Sequence, residues 1–452
     1  MSDVLIRGGR IVDPSQNLDA PGDLLVRDGK VASLAPVGQT SGAEGVLELD
    51  ARGLIVAPGF IDLHTHLREP GHEEKETIAS GSRAAVAGGF TTICAMPNTD
   101  PAIDNTAVVE YVRRAAEAAG AARVLCVAAV TNGRAGKELA EMAELAAAGA
   151  IGFSDDGNPV ASSAVLRHAL AYCCMLGKPV MDHCEDPELV KGGQMNEGPV
   201  ATRLGLKGSP AAAEEILVAR DVALAELTGG WVHICHLSTA RAVEIVRSAK
   251  ARGVRVTAEV TPHHLVMTDE LVLGRWPTFP GSTGKHLPYD TDTKVNPPLR
   301  SGADVAALLE GLRDGTIDAI ATDHAPHHLL DKECEYDFAA AGLSGLDTAL
   351  AALLLLVEQG KLGLGEVVKA LTVGPAGIIR RDLGTLKPGS VADVVVFDQT
   401  LEWKVTAESM LSRGKNTPFR GETVRGKVVL TLREGVAVYG GERLAQPLAL
   451  ER

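Results

Sequence analysis

No run of this sequence is long and apolar enough to cross a membrane as a helix. The longest, Ala349 to Val357, is bounded by Thr348 and Glu358, far short of the ~20 residues a span requires. A basic start followed by an apolar stretch is also missing: Met1-Ser2-Asp3-Val4-Leu5-Ile6-Arg7 does not read as a signal peptide. The seven cysteines, at 94, 126, 173, 174, 184, 235 and 334, contain no C-x-x-C pair. An odd, scattered set without a secretion signal predicts reduced thiols and a cytoplasmic location, most of them serving as small buried hydrophobes. Basic residues are in the minority, 44 Lys and Arg against 58 Asp and Glu, for a net charge of -14. That argues against a general nucleic-acid binder, whose affinity comes from neutralising phosphates. A small anion is still admissible, because the charge of one pocket need not follow the global sum.

What is present is enough for a large core and a satellite: 452 residues, 45% hydrophobic and 23% charged, an ordinary globular balance. Short alternating runs such as Val4 to Ile11 and Asp23 to Val31 predict strands in residues 1–55, and Asp28-Gly29 suits the positive φ angles of a type I′ hairpin. Residues 380–452 have the same character, with Ala392 to Phe397 and Lys427 to Leu432 as strands. Neither end can easily bury a two-sheet core alone. The two are expected to join into one small β-sandwich domain, residues 1–55 with 380–452, leaving residues 56–379 as a second domain.

Within 56–379 the pattern changes. Candidate strands are Ile55–Leu63 (interrupted by Pro58-Gly59), Thr91–Ala95, Val124–Val130, Ala150–Ser154, Val180–His183, Trp231–His236, Val254–Val260 and Asp318–Thr322. Alanine-rich helical patterns lie between them, among them Ala107–Ala119, Lys137–Ala148, Pro210–Leu227 and Ala240–Ala251. Strand–helix alternation implies a parallel sheet, and eight repeats imply a closed (β/α)8 barrel of the α/β class. A doubly wound open sheet would usually carry a glycine-rich phosphate loop after its first strand. Here His64-Thr65-His66 occupies that place. Gly281-Ser282-Thr283-Gly284-Lys285 fails as a phosphate loop too, since Phe279 and His286 stand where glycine and Ser or Thr belong.

Polar residues gather at the ends of the candidate strands, the face on which barrel enzymes build their sites. His64 and His66 are two apart on one strand, so both can reach one metal ion. Further on come Asp155 and Asp156, then His183, His236 and Asp323. Four His and two Asp are the ligand inventory of a dinuclear site for borderline metals, zinc first. Arg68 follows His66 by two and offers a planar cation for a substrate carboxylate. Strand alternation leaves open whether Asp155 or Asp156 points inward. His324, on the alternate face from Asp323, is read as supporting rather than ligating; His263 and His264 end strand seven on the same face, and the resemblance described next gives them no ligand role.

The motifs DLHTHLREPG (62–71), MPNT (96–99), FSDDG (153–157), VNPPLR (295–300) and ATDHAPH (321–327), with isolated His183 and His236, closely resemble those of the amidohydrolase superfamily, and within it the class I bacterial dihydroorotases. The resemblance covers nearly the whole chain. It implies that His64, His66 and Asp323 hold one zinc and His183 and His236 a second, with Asp156 bridging and Asp323 acting as general base. It further implies that Arg68, Asn98 and His327 bind the substrate carboxylate, while Asn296 and the backbone near Ala341 and Gly342 recognise the pyrimidine edge. The expected reaction interconverts N-carbamoyl-L-aspartate and L-dihydroorotate in de novo pyrimidine biosynthesis. A homodimer, and association with aspartate transcarbamoylase, are the partners the resemblance suggests. Related dihydropyrimidinases, hydantoinases and allantoinases bridge their metals with a carbamylated lysine near the fourth strand, yet Ala150 to Asn158 contains no lysine. Another cyclic amidase and a catalytically silent transcarbamoylase scaffold are the competing readings; the silent chains have typically lost metal ligands, and this one keeps the set. The segment 273–293, rich in Gly, Pro, Thr and Asp, is longer than its family counterpart and reads as a lid or a passive insertion.

Overall fold

The computed structural model describes residues 3–40, 45–275 and 286–444. The amino-terminal strands are β1 (Val4–Asp13), β2 (Leu18–Arg27), β3 (Lys30–Ala35), β4 (Leu47–Asp50) and β5 (Ile55–Pro58). There follow β6 (Phe60–Thr65), β7 (Phe90–Ala95), β8 (Arg123–Ala128), β9 (Gly152–Phe153) and β10 (Val180–Asp182). A small parallel pair, β11 (Met195–Asn196) and β12 (Gly208–Ser209), precedes β13 (Val232–Ile234), β14 (Val256–Val260) and β15 (Ala319–Ile320). The carboxy-terminal strands are β16 (Val394–Lys404), β17 (Thr423–Arg433) and β18 (Val436–Tyr439).

Both chain ends meet in one sheet, ordered β18-β17-β16-β5-β1-β2-β3 with β4 beside β1. The join is antiparallel pairing of β5 with β16, Val56 opposite Val396. Asp28 and Gly29 turn the β2–β3 hairpin with φ of 50° and 73°. Period-two alternation divides the labour of β16. Val394 and Val396 enter an apolar cluster shared with Val4, Ile6, Leu24 and Leu430, while Val395 and Phe397 face the barrel helices.

The other eight strands run in the order β6-β7-β8-β9-β10-β13-β14-β15, each neighbour parallel. A parallel bridge between Thr65 and His324 brings the last strand back to the first. Buried Asp62 reinforces that closure, accepting from the Thr322 N–H at 3.0 Å and its hydroxyl at 2.5 Å. Leu63, Met96, Val127, Ile151, Met181 and Ala321 fill the interior with Ile378 and Ile379. The fold is therefore a nearly closed (β/α)8 barrel with a β unit assembled from both termini.

Two expected elements differ from those observed. The strand expected over Ile55–Leu63 is two strands, β5 in the terminal sheet and β6 in the barrel, divided at Gly59. The Gly59 N–H donates to the Asp393 carbonyl at 2.8 Å, and a Cβ there would lie 2.4 Å from Thr91, so the crossing admits no side chain. The helix expected over Lys137–Ala148 is only Met142–Ala147, because Leu139 is tied back to Thr131 by an antiparallel bridge. The helix Thr106–Ala119 is capped by Asn105, and Ala240–Ala251 by Thr239. Among the described residues no helix is long and apolar enough to cross a membrane. The Gly281–Lys285 stretch, and residues 276–285 of the expected lid, lie outside the described residues. The cysteines are free, five of them buried, with Cys174 exposed and Cys334 half-buried.

Candidate active site

Simple alternation along β6 would aim its histidines away from the barrel axis, since Ile61 and Leu63 already point into the interior. The pairing with β7 corrects this: Asp62 is opposite Ile93 but Thr65 is opposite Ala95, three residues against two. That extra residue is a bulge, which switches the inward side from odd to even positions. His64 and His66 thereby face the cavity.

Around Asp156 the four imidazoles divide into two pairs. Asp156 Oδ2 is 3.4 Å from His64 Nε2 and 3.4 Å from His66 Nε2. Asp156 Oδ1 is 3.4 Å from His183 Nδ1 and 3.4 Å from His236 Nε2. Asp323 Oδ1 joins the first pair, 3.0 Å from His66 Nε2 and 3.6 Å from His64 Nε2. Asp155 is elsewhere employed: its carboxylate accepts from the N–H groups of Val130 and Thr131 and from the Thr131 hydroxyl. The neighbour that alternation could not choose is thus Asp156.

The far side of the rings sets which nitrogen faces inward. His64 Nδ1 donates to Glu259 Oε1 at 2.7 Å, His66 Nδ1 to Asn98 Oδ1 at 2.8 Å, and His183 Nε2 to Glu185 Oε2 at 3.1 Å. With those protons committed outward, the inward nitrogens present lone pairs to carboxylate oxygens. His64 Nε2 and Asp156 Oδ1 are buried without a hydrogen-bond partner. Lone pairs facing lone pairs call for a cation between them. Tetrahedral ligands at about 2.1 Å from one zinc lie about 3.4 Å from each other, the spacing found around Asp156. The residues present therefore fit a pair of metal ions.

Burial alone would raise the carboxyl pKa values of Asp156 and Asp323, but with no cation between them the surrounding imidazoles take up protons, and their positive charge outweighs burial and holds both below the ordinary range. Both are ionised at neutral pH. His236 and Asp323 have φ of 34° and 47°, and Arg68 63°; three non-glycine residues in the left-handed region at one cavity is strain concentrated at a site.

The cavity, about 170 Å³, is lined by His66, Arg68, Asn98, Asp156, His183, His236, Asn296, Asp323, His327, Ala341 and Gly342. Every residue to which the resemblance gives a site role is on this wall except His64, which is fully buried with its Nε2 3.4 Å from Asp156. Arg68 is buried; its Nε donates to the Pro326 carbonyl at 3.2 Å, and it makes no ion pair among the described residues. Burial lowers its pKa to about 10, so it remains a cation at neutral pH. Burial first, then Arg68, lowers His327 to about 3, and its neutral ring donates from Nε2 to the Ala341 carbonyl at 2.9 Å. His324 turns away from the cavity to Glu76, at 3.2 Å, and His264 bonds Thr261 and the Pro297 carbonyl.

Glu259, Glu185 and His233 were not singled out from the sequence. Glu259 is fully buried in β14 and also accepts from His233 Nε2 at 3.1 Å; the two imidazoles bring it down to about 2 against its burial. Its one visible signal is an acid within the apolar strand Val256-Thr257-Ala258-Glu259-Val260.

A barrel of this form with imidazoles and carboxylates at its strand ends is that of an amidohydrolase. The chain is similar in structure to L-hydantoinase (dihydropyrimidinase) from Arthrobacter aurescens, with a TM-score of 0.83 and 25% identity over 97% of this chain and 96% of that one. In sequence it is 51% identical to the dihydroorotase of Syntrophus aciditrophicus (strain SB) over 437 residues, covering 96% of this chain and 99% of the relative. To the dihydroorotase of Anaeromyxobacter sp. (strain K) it is 52% identical over 440 residues, 97% and 98% of the two chains. A dihydro-orotase-like family profile matches residues 53–242. The chain belongs to the dihydroorotase family.

Proposed function

We propose that the protein is a zinc-dependent dihydroorotase, interconverting L-dihydroorotate and N-carbamoyl-L-aspartate in the cytoplasm as a step of pyrimidine biosynthesis. The observation that carries this reading is buried, unpaired Arg68 beside the ring of imidazoles and carboxylates. A guanidinium is held out of water at a cost that a bound anion offsets, and paired N–H donors fit a carboxylate in two-point contact. Hydantoin, dihydrouracil and allantoin carry no carboxylate to meet it.

His64, His66 and Asp323 would hold one zinc and His183 and His236 the other, with Asp156 shared by both. When bound, such a pair supplies water acidified toward neutral pH and a polarised amide carbonyl. The remaining work falls to the chain. Arg68, with Asn98 and His327, binds the substrate carboxylate; Asn296 and the backbone of Ala341 and Gly342 bind the ring edge. Asp323, ionised and at the cavity wall, accepts the proton of the attacking water and delivers it to the departing ring nitrogen. The ring C–N bond breaks as the new C–O bond forms. In the biosynthetic direction the ureido nitrogen attacks the side-chain carboxylate, its proton passes by way of Asp323 to the departing oxygen, and with a second proton from solvent that oxygen leaves as water.

The test is turnover of dihydroorotate, dihydrouracil, hydantoin and allantoin by zinc-loaded protein. Dihydroorotate is expected to be strongly preferred, and preference for a ring without a carboxylate would overturn the reading. Metal content near two per chain together with activity lost in Asp323→Asn excludes the silent-scaffold alternative. A homodimer and a complex with aspartate transcarbamoylase belong to the same reading, and sedimentation of the protein alone and with that enzyme tests both.

A further inference from the structure

Two lysines lie buried behind the wall that carries Asn296, Ala341 and Gly342, and neither has a carboxylate partner. Lys332 and Lys294 are only 4% and 7% exposed, and no ion pair reaches either among the described residues. The Lys332 ammonium is held by carbonyls, donating to Thr291 O at 2.9 Å and Ala340 O at 2.7 Å. The Thr291 hydroxyl donates back to the Lys332 carbonyl at 2.6 Å. Lys294 donates to the carbonyls of Tyr336 and Asp337 at 2.8 and 3.1 Å. Asp290 and Asp292 act on the Lys332 ammonium only from beyond contact distance; burying an ammonium without a direct carboxylate partner is unfavourable, and a methionine would fill the same volume. The arrangement therefore calls for a gain elsewhere.

What Lys332 joins supplies that gain. Thr291 begins the segment that runs through Lys294 to Asn296. Ala340 precedes Ala341 and Gly342. The two segments meet where the Gly342 N–H donates to the Lys294 carbonyl at 2.8 Å. Gly342 is hemmed in from the other side: its φ is 136°, and a Cβ would fall 2.7 Å from the Ala325 Cβ and 2.8 Å from its carbonyl oxygen. Asn416 Nδ2 holds the Gly342 carbonyl at 2.9 Å from behind. No covalent connection shorter than the chain from Thr291 to Ala340 fixes the separation of the two segments. The Gly342–Lys294 bond joins them at one point, and the ammonium of Lys332, bonded to Thr291 and Ala340, joins them at a second.

We propose that Lys332 is a positioning residue for substrate recognition, clamping the Thr291–Asn296 and Ala340–Gly342 segments at the spacing that fits the ring edge. The proposal rests on the functional reading above, in which those segments meet the substrate. Lys332 makes no hydrogen bond to the metal-site residues and does not line the cavity; its charge, after that of Arg68, also helps keep the His327 ring neutral. It acts on binding, and the proton transfer at Asp323 is left alone.

The neighbourhood allows a test that a merely structural role would not pass. Lys332 also borders a second crevice, about 590 Å³, shared with Thr291, His328 and Arg413. In Lys332→Ala, a small alkylammonium entering that crevice can replace the missing ammonium. Lys332→Met keeps the apolar stem and guards against loss of the fold. Both variants are expected to raise the KM for dihydroorotate about tenfold, the scale of one charge-assisted hydrogen bond. The kcat should stay within about twofold, with zinc content unchanged. Propylammonium should lower the KM of Lys332→Ala and leave that of Lys332→Met unaltered. An unchanged KM in both variants overturns the clamp, and so does a parallel fall of kcat and kcat/KM that propylammonium does not relieve. Wild-type protein that turns over no dihydroorotate would sink the functional reading itself, a result distinct from either.

Discussion

Glu259 shows how one side chain can govern a site it never enters. By taking the Nδ1 proton of His64 it commits Nε2 to the cavity, and its negative charge makes that nitrogen a better donor to a metal. Glu259→Gln keeps an acceptor but removes the charge. The variant is expected to bind zinc about tenfold to hundredfold more weakly, measured by competition with a chromophoric chelator; unchanged affinity would refute the role. The imidazoles and carboxylates that the structure brings together were legible in the sequence because strand-end motifs display them together. Glu259 was not, since a single acid in an apolar strand gives no hint of the histidines 195 and 26 positions away that it serves. Lys332 makes a second residue-scale prediction. Burial lowers its pKa from 10.5 to about 8, so between those values the unfolded chain holds a proton that the folded one has released. Stability from this group therefore rises with pH from about 8 to 10.5 and is lowest below that window. Urea unfolding at pH 7.5 and 10 should show wild type gaining about 1–3 kcal/mol relative to Lys332→Met. A gap that does not move with pH would contradict it.

At the level of elements, β6 is the instructive case. Its two histidines share a face, as their spacing predicts, yet the face itself is set by a bulge that no pattern of apolar residues announces. Register is a property of two strands, and one strand's sequence does not contain it. The same holds at Gly59, where a continuous apolar run conceals a change from one sheet to another. Pro58-Gly59 marks the break, but only the contact with Thr91 shows that the glycine is there for want of room. Gly59→Ala is expected to cost about 1–3 kcal/mol of stability through overpacking against Thr91, read from the urea midpoint. A variant of wild-type stability would mean that the crossing is looser than its geometry indicates. The helix shortened to Met142–Ala147 makes the related point that a local tie, Leu139 to Thr131, overrides helix propensity.

Across the whole molecule, the β unit and the barrel are tied by more than the Gly59 crossing. Val395 and Phe397 enter the barrel core, Arg123 pairs with Asp393 at 2.7 Å, and the Thr431 hydroxyl donates to the Val86 carbonyl. We propose the division into a terminal β unit and a barrel, expected at residue 55 but set by β5 at Gly59, as one of folding units that unfold together. Phe397→Ala should then lower the stability of both by about 3–5 kcal/mol in a single transition, and two separate transitions in calorimetry would argue against it. Stripping metal with a chelator should abolish activity and lower the melting temperature, since a ligand of the native state alone stabilises it; zinc should restore both. The alternation that made the barrel legible in the sequence also bears on how its site is made. Every group around Asp156 is written in the chain, and Ala150 to Asn158 holds no lysine to be carbamylated. On the zinc-dependent reading proposed above, maturation depends on the metal alone and is independent of dissolved carbon dioxide. Protein refolded in bicarbonate-free buffer should recover full activity as soon as the metal is added.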